Sequence, residues 1–556
     1  MKFRYLKNVI PAAVVSLLVA GGVSSCTKDL DQSIQDPQTN TEFNATGLLA
    51  KIYGNLTLTG VKGPSGDKTA DMLQFDEGNS SLFRRVFEAN ELCSDECIWT
   101  WQGDAGIPEL TNISWNSSHG YNELTYYRLM YNITLCNFYL DQTEGSEDAQ
   151  MLQNRAEVRF IRALHYYYFI DLYGKAPYKL HYNDELPVEI SREDCFNFIV
   201  SELKDINGEN AESREQLLQN ANNADNYGRA DRVAANMLLA RLYLNAQVYT
   251  GTAQWALAQE YAQKVIDSSY KLCIESKNGF SAYQQLFMGD NGENANARQE
   301  IIFPIRCDGA TSRSYGGSVY TIASTTGNGT PDQSLAKSQW TCNRSREALV
   351  KKFFTSLSDV PLTLDIEAVV RAAGDDRARF FSGWSVDDKG NKGNVRTTST
   401  EEKTTFSAGL GIMKWTNAYC DPANGSPKDV SYSDTDVPLF RVAEAYLTLA
   451  EATFRLEGAT NKVITLLNAL RSRAHANPLS TVTERDICDE WCREFYFEGR
   501  RRSDLIRFGY FTSGEYLWDW KGGSYTGTGV SPIYNVYPIP ANELSANSNM
   551  TQNLGY

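Results

Sequence analysis

The sequence predicts a mainly α protein in which helical hairpins support an irregular, loop-rich half with little β-structure. Two observations carry this. Apolar residues recur at offsets of three and four in paired segments early and late in the chain, and these segments flank a middle rich in Gly, Ser, Thr and Asn. That middle, residues 306–405, is punctuated by single large aromatics (Tyr315, Tyr320, Trp340, Trp384), which a disordered linker would lack.

The first 25 residues stand apart. Lys2, Arg4 and Lys7 precede an apolar run from Val9 to about Val23, followed by small residues and Cys26. A basic end, a short apolar middle and a small-residue cleavage site make a secretory signal, and the run is too short to span a bilayer. Val23-Ser24-Ser25-Cys26 resembles a bacterial lipobox, so residues 1–25 are expected to be removed and Cys26 to carry lipid. Residues 26–45 are polar and without periodicity and read as a tether.

Residues 46–270 form the first folded region. A short helical start (Leu48, Leu49, Ile52) runs into a Gly-, Ser- and Asp-rich stretch read as loop as far as Asn90. Residues 91–118 then hold three Trp in a polar, turn-rich setting. Val158, Ile161, His165, Tyr168 and Leu172 mark a helix ending near Gly174, and residues 192–206 predict another. Residues 231–245 and 252–267 each carry an alanine-rich stripe and join at a turn containing Gly251; together they resemble a tetratricopeptide-type hairpin.

Residues 271–556 form the second region. Helices are expected over 437–457, 460–474 and 484–498. Such stripes are packing surfaces, not sites. The Arg500-Arg501-Arg502 run is read as structural, pairing with Glu498 and Asp504.

The formal charge is -15, from 53 basic and 68 acidic residues. An acidic surface repels phosphates and sulfates, which argues against nucleic acid and leaves neutral ligands. Eleven cysteines leave ten besides Cys26. They contain no C-x-x-C, and with four scattered His they offer no zinc pattern; buried free thiols are expected.

Several segments resemble the SusD/RagB family of outer-membrane glycan-binding lipoproteins: REFYFEGRRRSDLIRFG (493–509), the ending YPIPANELSANSNMTQNLGY (537–556), DTDVPLFRVAEAYLTLAEA (434–452), RAEVRFIRALHYYYFIDLYGKAP (155–177) and RLYLNAQVYTG (241–251). NELCSDECIWTWQ (90–102) and RSYGGSVY (313–320) resemble its starch-binding members. The resemblance implies tetratricopeptide-like units, a SusC-like TonB-dependent outer-membrane transporter as partner, a lipid-anchored, surface-exposed place on the outer membrane, and no catalysis.

It also implies a site. Trp99, Tyr315 and Trp340 fall at sugar-stacking positions, with Trp101 beside Trp99; together they imply an arc following the curvature of an α-1,4-glucan. Arg84 matches a hydrogen-bonding arginine. Asp104 stands where the pattern has an asparagine, and it accepts hydrogen bonds without donating any. Asp434 and Asp436 match a calcium-binding pair whose third ligand falls at Gly292, unless Asp290 or Glu293 substitutes; no cofactor beyond that calcium is expected. The rival readings are an exported glycoside hydrolase, whose two carboxylates cannot be found by counting, and a same-fold binder of another glycan or of peptides.

Overall fold

The computed structural model describes residues 43–72, 77–383 and 395–556. Cys26, the expected signal and tether, and Trp384 lie outside the described residues. Residues Thr46–Tyr556 pack as one unit.

Helix Gly120–Gln142 packs antiparallel on Ala149–Leu172, and Arg192–Ile206 adds to the second of these. Arg232–Leu244 pairs with Trp255–Ile266, which also packs on Val442–Glu457; that helix in turn carries Asn461–Arg473 and Glu484–Phe495. The alanines Ala235, Ala258 and Ala262 are fully buried, which lets these helix axes approach closely. Several helix starts are fixed by side-chain caps. Asp231 accepts from the Ala234 N–H at 2.7 Å, and Thr483 and Asp486 form a reciprocal capping box. Among the described residues the β-structure consists of four two-stranded antiparallel ladders and a few isolated bridges. Among the described residues no helix is long and apolar enough to cross a membrane.

Three expectations need correction. Residues 437–441 are a strand, Val437–Arg441, paired with Ile301–Ile305; the helix begins at Val442. Both strands are largely buried and, Arg441 apart, apolar, and Pro438, lacking an N–H, sits opposite Pro304. The stretch read as loop up to Asn90 contains helix Leu82–Glu91, capped by Ser81. All ten of its residues are buried, Arg84, Arg85, Glu88 and Glu91 included, so it has no polar outer face to betray it. Glu498, expected to pair with the arginine run, binds Lys414 (2.6 Å) and Arg441 (2.7 Å) instead.

The run itself is structural. Arg500 pairs with Asp504 and Glu444, Arg501 grips Asp95 through two bonds of 2.7 and 3.0 Å, and Arg502 donates to the Asn535 carbonyl. The Gly499 and Arg500 N–H groups donate to Glu91. The C-terminal block thereby clamps helix Leu82–Glu91 and the loop after it. The ten cysteines of the described region are all buried and free, and burial pushes their thiols up, to about 11 for Cys93 and about 12 for Cys136.

Candidate functional site: an aromatic arc

Strand Cys97–Trp99 pairs with Asn343–Ser345, setting Trp99 opposite Asn343. The next turn exposes Trp101. The Asp104 N–H donates to the Trp101 carbonyl (3.0 Å), and the Asp104 carboxylate accepts from the Trp99 indole at 3.3 Å. The short helix Ser318–Ala323 brings Tyr320 flat against Trp99, with centroids 5.8 Å apart and planes 13° from parallel. Trp101 meets Trp99 edge-on at 5.8 Å.

The series continues. Trp340 lies 6.3 Å from Tyr320 and 6.2 Å from Tyr315, which lies 5.6 Å from Tyr432. Thr341, at φ 53°, is a β-branched residue in the left-handed region, and its N–H bonds to the Ala323 and Thr326 carbonyls; this strained link fixes Trp340. Gly78 lets the chain pass Tyr315, since a Cβ there would lie 2.4 Å from the tyrosine Cβ. Six rings thus run from Trp101 through Trp99, Tyr320, Trp340 and Tyr315 to Tyr432.

They are not equally open. Trp101 is 38% exposed, and Trp340, Tyr315 and Tyr432 are half-buried, whereas Trp99 is 4% and Tyr320 0% exposed. Trp99 and Tyr320 therefore form the floor, and the other four rings present surface. Arg84 stacks its guanidinium 4.6 Å from the Tyr320 centroid and bonds Glu88 at 2.9 Å. The structure so gathers Trp99, Trp101, Asp104, Arg84, Tyr315 and Trp340 around one feature. Tyr320 and Tyr432 join them without having been singled out as site residues; the only signal was their place in RSYGGSVY and just before Asp434.

Asp434 and Asp436 lie under the Tyr432 end. Asp434 accepts from the Gly309 and Lys428 N–H groups and the Tyr419 hydroxyl; Asp436 accepts from the Cys307 N–H and from Arg306 Nε at 3.0 Å. Burial pushes the Asp436 carboxyl up to about 6, against the pull of Arg306. Gly292 is in contact here: a Cβ on it would lie 2.7 Å from Asp436 Oδ2. Asp290 is committed elsewhere, accepting from the Cys420 and Asp421 N–H groups and the Asn424 amide, and Glu293 is exposed. The oxygens are of the kind calcium prefers. The place next to Asp436 Oδ2 is taken by the Arg306 guanidinium, which a metal ion has to displace.

Comparison with known proteins settles the family. The model of the SusD family matches residues 299–556, and a second, described as "starch-binding associating with outer membrane", matches residues 30–244. The chain is 46% identical to the starch-binding protein SusD of Bacteroides thetaiotaomicron, over 100% of both chains. This chain belongs to the SusD family. It is also 24% identical to the SusD-like protein P25 of Formosa agariphila over 76% of each chain. Among solved structures, surface glycan-binding protein A of B. thetaiotaomicron in complex with laminarihexaose shares the fold at TM-score 0.63 and 16% identity, covering 92% of this chain and 98% of that one. A SusD-like carbohydrate-binding protein of Bacteroides fragilis does so at TM-score 0.65 and 17% identity, covering 91% and 98%.

Proposed function

We propose that this SusD-family member is a non-catalytic glycan-binding lipoprotein of the outer-membrane surface. It captures starch or other α-1,4-glucan and delivers it to a SusC-like TonB-dependent transporter. The observation that carries this is the six-ring arc with four accessible rings. A pyranose buries its C–H face on an aromatic ring and leaves its hydroxyls for directional bonds. A row of such rings following the curve that the family pattern implies suits a polymer that is itself curved, with little conformational loss on binding. Trp101, Trp340 and Tyr315 supply stacking surface and Trp99 backs them, while Arg84 and Asp104 serve hydroxyls. The full-length identity to a starch-binding protein supports the choice of glycan. Beside the arc, Glu88 is tied up by Arg84 and Arg85, so it is not free to partner Asp104 as a catalytic carboxylate, which favours a binder over a hydrolase.

The same reading gives Asp434 and Asp436 a structural calcium ion, with Arg306 displaced, and Cys26 a lipid. Affinity electrophoresis against a polysaccharide panel tests the glycan. Retardation by amylopectin with no release of reducing sugar is expected, and sustained turnover, or a preference for flat β-linked glucan, overturns it.

A further inference from the structure

Helix Leu82–Glu91 ends on a carboxyl group that faces another. Glu91 and Glu96 are 0% and 1% exposed, and their carboxyls lie within hydrogen-bonding reach of each other. Glu91 Oε1 accepts from the Gly499 and Arg500 N–H groups at 2.7 and 2.9 Å. Among the described residues no N–H or hydroxyl donates to its Oε2. Glu96 accepts from the Phe497 N–H at 3.0 Å and from the Cys492 thiol at 3.4 Å. A buried acceptor without a donor costs free energy, and two carboxylates in one dry place repel each other. A single proton between the two removes both costs.

The charges around the pair are committed elsewhere. Arg501 spends Nε and Nη2 on Asp95, at 2.7 and 3.0 Å, and passes Glu96 Oε1 at 3.8 Å, beyond hydrogen-bond range. Arg346, which has the Cys97 thiol as a neighbour in common with the pair, donates to the backbone carbonyls of Leu92, Cys97, Thr111 and Asp519. The Arg500 side chain serves Asp504 and Glu444. Burial pushes the adjoining thiols of Cys93, Cys97 and Cys492 up, so they are uncharged at neutral pH. Burial, and then the neighbouring Glu91 charge, pushes the Glu96 carboxyl well above its ordinary 4.5. Glu96 also has fewer N–H donors than Glu91, so it is the member that holds the proton.

We propose that Glu96 keeps a proton at neutral pH, donates it to Glu91 Oε2, and so locks the end of helix Leu82–Glu91 to the C-terminal block. The lock is sensitive to alkali. Loss of the proton leaves two buried carboxylates face to face at the seat of the helix that carries Arg84. Its sign is opposite to that of a glutamate held by arginine. Below about pH 4.5 the folded and unfolded chains both hold the proton. Above that, the unfolded chain releases it and the folded chain does not, so stability falls as pH rises. The lock works in this way whatever the arc binds.

Infrared spectroscopy and thermal melts on the intact protein test it. At about pH 8, far above an ordinary glutamate, wild type should show a protonated-carboxyl C=O band that moves on isotope labelling of glutamate and is absent in Glu96→Gln. The label matters because the other carboxyls pushed up by burial, Asp231, Asp332, Asp436 and Asp519, are aspartates. Glu96→Gln puts an amide N–H where the acid O–H was. It should melt no lower than wild type at about pH 8 and lose melting temperature less steeply from there to about pH 10. Glu96→Ala, which removes the donor, should melt lower at both. Three results overturn the proposal. One is a wild-type spectrum without the glutamate band, which a metal cation held among Asp95, Glu96 and Cys492 would also give by leaving the carboxyls ionised. Another is a Glu96→Gln protein melting well below wild type at about pH 8, the mark of a glutamate that acts as an anion. The third is a Glu96→Ala protein as stable as wild type. The wild-type spectrum decides the matter even if neither variant folds.

Discussion

Trp99 and Tyr320 lie face to face at 5.8 Å, and each closes the other off from solvent. The pair is a buried footing on which the open rings stand, and this separates two effects of mutation. Trp101→Ala and Trp340→Ala should weaken starch binding by about 1–3 kcal/mol, the scale for burying a large apolar side chain. Trp101→Ala should leave the melting temperature nearly unchanged. Trp99→Ala removes a core ring and should cost stability as well, about 3–5 kcal/mol. Thermal melts run beside affinity gels check this; a Trp99→Ala protein as stable as wild type contradicts the footing.

Because the proposed ligand is neutral, raising salt should hardly change its affinity. Cyclic α-glucans, already curved, should bind at least as well as short linear ones. Titration calorimetry at two ionic strengths checks both, and a steep loss of affinity in salt points to a charged ligand.

Acid should unfold the protein through a buried ion network. Glu490 faces Arg377, Arg471 and Arg493, and Glu494 faces Arg377, Arg441 and Arg473. Burial alone would raise both carboxyls, but the arginines prevail, holding Glu490 at about 2 against an ordinary 4.5 and lowering Glu494 too. With folded values below unfolded ones, their contribution is complete above about pH 4.5 and is lost as pH falls toward 2. Melting temperature should drop steeply across that window. Glu490→Gln should flatten the drop and cost about 3–5 kcal/mol at neutral pH by stranding buried arginines.

If calcium ties Asp434 to Asp436, chelation should lower the melting temperature and added calcium restore it, by about 2.7 kcal/mol at a hundredfold excess over Kd. Asp436→Asn should abolish the response. A melt indifferent to chelator, with no metal by elemental analysis, leaves the pair to Arg306 at Asp436 and Lys428 at Asp434.

For the anchor, Cys26→Ala should abolish incorporation of a fatty-acid probe and release the protein from the membrane fraction. Equal labelling of mutant and wild type refutes the lipobox.

What the sequence made legible was periodic. Helices Arg192–Ile206 and Trp255–Ile266 could be read because each has one apolar and one wet face, and Arg232–Leu244, buried nearly all round, because its apolar and alanine residues run almost unbroken. Helices Leu82–Glu91 and Gly120–Gln142 could not, because charged and amide residues such as Arg85, Arg128, Asn132 and Asn137 are buried in them and blur the stripe. At the site, the family resemblance pointed to Trp99 and Trp340 but carried no information on depth. Tyr432 was hidden among 31 tyrosines, and Tyr320, though conspicuous in the loop-rich middle, was not tied to the site, since membership in the arc is set by loops that meet only in three dimensions.

The clamp of Arg501 on Asp95 and of Gly499 and Arg500 on Glu91 joins residues about four hundred positions apart. Helix Leu82–Glu91 carries Arg84, one support of the arc, yet its seat is built from nearly the last part of the chain to leave the ribosome. Contacts so distant in sequence form late and slowly. The chain therefore cannot finish its platform while it is still being made. That delay leaves it threadable for export, and any truncation that removes the final sixty residues should unseat helix Leu82–Glu91 and the arc it supports.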